Sequence, residues 1–179
     1  MQTPSKKKRK IVRKLFLLLL GISFIFIIVT GDLEIYSIYY EEQLATSEKE
    51  RRDNVIKATI TNLRSLNYED IPNMRYDFDG TNFVENQNDS SGSYFPSVSN
   101  NASGYSYQDK EGNRYHLDEN LHLTYAVRWS NTERKRLDLT QLNEEQLKDE
   151  MYDTLKPVID AQKKPVIYNL QWLYKLLRK

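Results

Sequence analysis

The chain has 179 residues, no cysteine and a formal net charge of +1. Without cysteine there is no disulfide, no lipid-modified cysteine and no thiolate metal site. The near-zero charge averages unequal parts: Lys6, Lys7, Lys8, Arg9, Lys10, Arg13 and Lys14 crowd the start, so the remainder is net acidic, which argues against nucleic acid as a partner.

Leu15 to Gly31 reads LFLLLLGISFIFIIVTG, with no charge. As a helix these seventeen residues span roughly 25 Å, a little short of the roughly 30 Å hydrocarbon core. Ile11, Val12, Leu33 and Ile35 extend the run, and the stems of Arg13 and Lys14 reach outward. The basic cluster before the run and Asp32, Glu34, Glu41 and Glu42 after it place residues 1–14 in the cytoplasm by the positive-inside rule. The expected localisation is therefore a cell membrane, crossed once, with the C-terminal domain extracytoplasmic. Residues 15–31 read as an uncleaved signal-anchor: the run exceeds a usual secretory h-region, and Val29-Thr30-Gly31 lacks the A-x-A cleavage pattern. Lys6–Lys10 (KKKRK) resembles a nuclear localisation signal. Lying directly against an apolar run, it reads instead as the topology determinant and as a contact for anionic lipid.

Past residue 31 there are 148 residues, enough for one domain with its own core. Residues 32–72 read as a helical stalk or the start of that domain. Residues 33–45 continue the helix out of the membrane, with Tyr36, Tyr39 and Tyr40 at headgroup level. Ser47-x-x-Glu50 is a capping-box pattern that opens a helix near Glu48. Val55, Ile56, Ile60, Leu63 and Leu66 mark its buried face, and Ile71-Pro72-Asn73 ends it.

From residue 73 the period falls to 2. Met74, Tyr76 and Phe78 alternate with Arg75 and Asp77, and Asp79-Gly80 is a two-residue hairpin signal that would pair Tyr76 with Phe83. Asp77 to Thr81 (DFDGT) resembles the first motif of haloacid-dehalogenase-type phosphatases. That resemblance implies a nucleophilic Asp77, an acid Asp79 and bound Mg²⁺. The alternation around it reads as a hairpin instead, and IPNMRY replaces the family's apolar strand. Residues 86–104, rich in Asn, Ser and Gly, read as a long loop and the expected contact region. Asn88-Asp89-Ser90 and Asn101-Ala102-Ser103 match the glycosylation pattern.

Lys110-Glu111-Gly112 turns one hairpin, pairing Tyr107 with Tyr115 and Tyr105 with Leu117. Asp118-Glu119-Asn120 turns the next. Pairing Leu117 with Leu121 keeps the apolar side chains on one face and sets His116 opposite His122, about 5 Å apart. Those two imidazoles are the one metal-ligand pair the sequence offers, and a stable site needs more ligands. No cofactor is expected. Asn143-x-x-Gln146 opens a helix carrying Leu147, Met151 and Leu155, which Pro157 kinks or ends. The last segment, opened by Pro165, fits two periods: Ile167, Leu170, Tyr174 and Leu177 a helix, Val166, Tyr168, Leu170 and Trp172 a strand. The helix is favoured, with its apolar stripe covering the sheet; the alternative placement is on the membrane surface.

The fold expected is α+β: a transmembrane helix, a helical segment, an antiparallel meander and C-terminal helices, with residues 73–179 as the α+β body. With no nucleophile elbow, P-loop or dinucleotide fingerprint, the reading is a single-pass binding or accessory protein of the cell envelope. Its partners would be the lipid bilayer and another envelope or extracellular protein, with no nucleic acid. Two alternatives stand beside it. A membrane helix running into a meander resembles a type IV pilin, although no glycine ends a charged leader before the apolar run and no glutamate sits five residues into it. A secreted hydrolase after signal cleavage is the other.

Overall fold

The computed structural model describes residues 6–68, 70–78, 82–95, 104–130, 133–166 and 168–178. Helix α1 (Lys6–Ile35) contains the apolar run. Its large apolar side chains from Ile11 to Ile28 are each more than half exposed, so none of the described residues covers them. Lys10–Ile35 has the length and composition of a membrane anchor or a secretion signal. The helical path hardly stops at Ile35. Tyr36 N–H bonds the Asp32 carbonyl and Tyr40 N–H bonds the Tyr36 carbonyl, both at 3.0 Å, so α2 (Ser37–Leu44) resumes after a single irregular residue.

Helix α3 (Glu48–Thr61) starts where the capping pattern places it. Ser47 Oγ accepts from Glu50 N–H at 3.1 Å. The reciprocal half of the box is displaced: the Glu50 carboxylate takes the N–H and hydroxyl of Thr46, at 2.9 and 2.6 Å. The predicted face is the buried one, with Val55, Ile56, Ile60, Leu63 and Leu66 all in the core.

Seven strands follow as one antiparallel meander, each paired with the next. They are β1 (Met74–Asp77), β2 (Asn82–Asn86), β3 (Ser91–Phe95), β4 (Tyr105–Gln108), β5 (Asn113–Leu117), β6 (Leu123–Ser130) and β7 (Glu133–Arg136). The β4–β5 register is the predicted one, with Tyr107 opposite Tyr115 and Tyr105 opposite Leu117. Three expectations are corrected. Tyr76 pairs with Val84, not Phe83, and four residues, 78–81, separate β1 from β2; Asp79, Gly80 and Thr81 lie outside the described residues. The 86–104 segment is not all loop, because Ser91–Phe95 is strand β3 between β2 and β4; residues 96–103 lie outside the described set. Leu117 pairs with Leu123, not Leu121, and a bulge there sets His116 opposite Tyr125. Leu121 takes a left-handed backbone (φ 62°) in the turn and is fully buried.

One sheet face is covered by α3 and by α4 (Glu144–Asp160), as an antiparallel sheet with one apolar face requires. Asn143 caps α4 by accepting from the N–H groups of Glu145 and Gln146. Met151, Leu155 and Val158 are fully buried in the same cluster as Val84, Tyr107 and Tyr115. Pro157 neither ends nor interrupts the assigned helix, which runs three residues past it. The two covering helices are clamped by charge. Arg52 meets Glu145 at 2.8 Å and Asp149 at 2.7 Å. Lys148, almost fully buried, meets Glu144 at 2.9 Å and Asp53 at 3.6 Å.

The last segment departs from expectation. Only α5 (Gln171–Leu177) is helical, and it packs on α2 rather than on the sheet. The Tyr40 and Tyr174 rings lie 5.1 Å apart. Its place over the sheet is already taken by α3 and α4.

Candidate functional site

A cavity of about 660 Å³ lies at the base of the domain, where α1 gives way to α2. Five separate stretches of chain meet there: the α1–α2 junction (Leu33, Glu41), α3 (Lys57), β4 (Tyr105), the β5–β6 turn (Glu119, Asn120) and α5 with the residue after it (Tyr174, Arg178).

Glu41 is its chemically distinctive member. It stands three residues after Ile38, a core residue, so the helical repeat turns both toward the interior. Its carboxylate is held by two groups from the far end of the chain: Tyr174 donates a hydroxyl hydrogen bond at 3.0 Å, and the Arg178 guanidinium lies 3.0 Å from the other oxygen. Burial pushes its carboxyl above the usual range, and Arg178 and Tyr174 only partly offset this. A buried carboxylate whose environment disfavours its charge, in a concave site with converging polar groups, is a marker of function rather than of packing. Its own two oxygens are taken by Tyr174 and Arg178; Glu34 and Glu119 are the further carboxylates lining the cavity that a cationic or hydrogen-bond-donating group would meet. Tyr40, the residue before Glu41, is fully buried: it donates to Asp32 at 3.0 Å and accepts from the Leu170 N–H at 3.2 Å. Tyr40 is therefore not a headgroup-facing aromatic.

None of Glu41, Tyr174 and Arg178 was singled out as a site in the sequence. A signal was there, because Glu41 is a charge on the side of α2 that Ile38 buries. Its partners lie 133 and 137 positions further on, and spacing along the chain carries no information about that contact.

A second groove, of about 420 Å³, runs between β3, β4 and α4 and is lined by Asp89, Asp109, Glu111, Glu150 and Asp153. Its acids are committed internally where they are best placed. Asp109 accepts from the Asn113 amide at 2.7 Å and from the Tyr115 hydroxyl at 2.9 Å, and Asp89 accepts from Ser91 at 2.6 Å. Among the described residues no group of three or more histidine or carboxylate side chains is arranged to hold a metal ion.

The two histidines are not brought together as a cross-strand pair. His116 Nδ1 lies 2.8 Å from the Ser106 hydroxyl, and its ring packs 5.5 Å from that of Tyr125. Burial, then Arg134 and Arg114, hold its pKa below the ordinary value. His122 is exposed on the turn, 3.4 Å from Asp118. The Ser106–His116 contact resembles half of a nucleophile–base arrangement, but Ser106 is fully buried. A hydroxyl sealed between strands joins β4 to β5 and meets no substrate. Searches of known protein families, curated proteins and solved structures find no match to this chain.

Proposed function

We propose that the chain is a single-pass membrane protein, N-terminus in the cytoplasm, whose α+β domain is displayed beyond the membrane as a binding or accessory subunit of the cell envelope. The observation that carries this reading is the uncovered apolar helix joined without a linker to a packed domain. The cluster of seven basic residues before the apolar run supports the orientation. The cavity around Glu41, at the base of the domain, supports binding over catalysis, since it holds charged and amide groups and no activated nucleophile among the described residues. The partner is a protein presenting a cationic or donor-rich segment to that cavity.

Protease added to intact cells or spheroplasts is expected to remove the domain and leave the tail protected. Protection until lysis would reverse the topology. Sequencing the mature N-terminus separates anchoring from secretion: a chain starting beyond residue 31 would be a released protein, as the hydrolase reading requires. A photo-crosslinking residue at Asn120, on the cavity wall, should join the chain to one envelope protein, and Glu41→Arg should abolish that product.

A further inference from the structure

We infer that α5, with the residues leading into it, is a second membrane contact: a short interfacial helix that lies on the same bilayer α1 enters and fixes the tilt of the domain. The inference rests on the membrane-anchor reading above.

Position is the first argument. Leu170, just before α5, bonds Tyr40, which in turn bonds Asp32. Asp32 is the first charged residue after the apolar run, so the start of α5 stands two hydrogen bonds from the level where the helix leaves the hydrocarbon. Tyr174 and Arg178 tie the rest of α5 to Glu41. Leu177 and Leu33 line the same cavity. The start of the segment is therefore strapped beside Asp32, where α1 leaves the hydrocarbon, and its end beside Glu41, further from the membrane.

The exposed face is the second. Trp172 and Leu176 are 68 % and 73 % exposed and, four residues apart, lie on one side of the helix. Val166 and Tyr168 are also exposed, at 88 % and 71 %. These four exposed apolar and aromatic side chains fall within residues 166–176, a density that a monomeric soluble surface rarely shows. Lys163, Lys164 and Lys175, all exposed, accompany them along the chain. Apolar and aromatic side chains flanked by lysine are the composition of a helix seated at a lipid interface, where the rings enter the acyl boundary and the ammonium groups meet lipid phosphate. The tyrosine contacts use the opposite side of α5, so both attachments are made at once.

The test uses the full chain in phosphatidylcholine vesicles containing some phosphatidylglycerol, prepared with ordinary or with brominated acyl chains. Bromine quenches tryptophan only where the indole reaches the acyl region. The chain has two tryptophans, so Trp129→Phe reports Trp172 and Trp172→Phe reports Trp129. Trp172 emission, read in the Trp129→Phe chain, should fall to about half or less in brominated vesicles, the result expected of an indole at the acyl boundary. Equal Trp172 emission in both lipids, with the chain still resisting alkaline carbonate, overturns this inference and leaves the anchor standing. Emission that shifts with protein-to-lipid ratio and not with bromine also overturns it, because a second copy then covers the patch. Release by carbonate removes the anchor reading and this one with it.

Discussion

Gly92 in β3 has no room for a side chain: a Cβ would stand 2.7 Å from the Val84 carbonyl oxygen, and backbone cannot yield cheaply. Gly112 is different, with φ at +79° and open space around it. Gly92→Ala is therefore expected to cost about 1–3 kcal/mol by overpacking, and Gly112→Ala about 1–2 kcal/mol from backbone strain alone. Denaturant midpoints should fall in the order wild type, Gly112→Ala, Gly92→Ala; equal midpoints would show that β2 and β3 can part. His116 supplies a pH prediction. Its folded pKa lies below that of the unfolded chain, so the unfolded state binds the proton more readily. The stability it protects is present above about pH 6.5 and is lost as pH falls through the folded value. His116→Gln should flatten stability between pH 7 and pH 5, by at most about 1.4 kcal/mol per pH unit, the limit for one proton. Identical slopes in the two proteins would mean the imidazole titrates as it does when unfolded. At this scale the sequence was read correctly where the apolar code was unambiguous, as at Tyr107 opposite Tyr115. It was misread where a longer turn and a bulge intervened: Leu117 pairs two residues further along, with Leu123, and one extra residue in β6 adds a third, which moves His116 from His122 to Tyr125; alternation alone does not reveal a bulge.

At the scale of elements, the helices and the β1–β2 and β4–β6 strands were legible because each buries one face and leaves the other wet. The strands that were missed lack that contrast. β3 is Ser-Gly-Ser before its two aromatics, and small residues suit it because α4 packs close: Ser91 Oγ lies 3.2 Å from Thr154 Oγ1, with Ser91 and Ser93 buried. Composition of that kind reads as loop. β7 is Glu-Arg-Lys-Arg on the sheet edge, where charge protects against further pairing. Arg134 and Arg136 each place a guanidinium 5.4 Å from the Tyr125 ring centre. Of the two outcomes expected at Pro157, a kink or an end, the helix running on to Asp160 removes the second, with Leu155, Val158 and Ile159 buried along its last turns. The residue still removes an N–H from the helix and crowds the Asp153 carbonyl. Pro157→Ala should raise stability by about 1–3 kcal/mol, read as a higher denaturant midpoint with an unchanged slope. An unchanged or lower midpoint would show that the ring makes contacts worth as much as the bond it forfeits.

For the whole molecule, the question is whether the domain needs its anchor. The core cluster runs from Ile38 to Ile159 and draws on no residue of the apolar run. Leu33 is buried, but it lies beyond Gly31, and the tie from Asp32 to Tyr40 lies beyond it too. The charge clamp between α3 and α4 and all seven strands are likewise independent of residues 1–31. The hydrophobic burial that stabilises the fold is thus complete without the membrane helix. A chain starting at Asp32 should express as a soluble monomer and unfold in one cooperative transition. Its thermal midpoint should fall by no more than about 4 °C, the shift that roughly 1 kcal/mol of frayed α1–α2 junction produces in a domain near this size. Cosedimentation should still detect weak attachment to anionic vesicles through Trp172 and Leu176, lost in the Trp172→Ala, Leu176→Ser double variant. Aggregation of the truncated chain with loss of the cooperative transition would instead make α1 part of the folding unit, and the division between anchor and body would then have no physical basis.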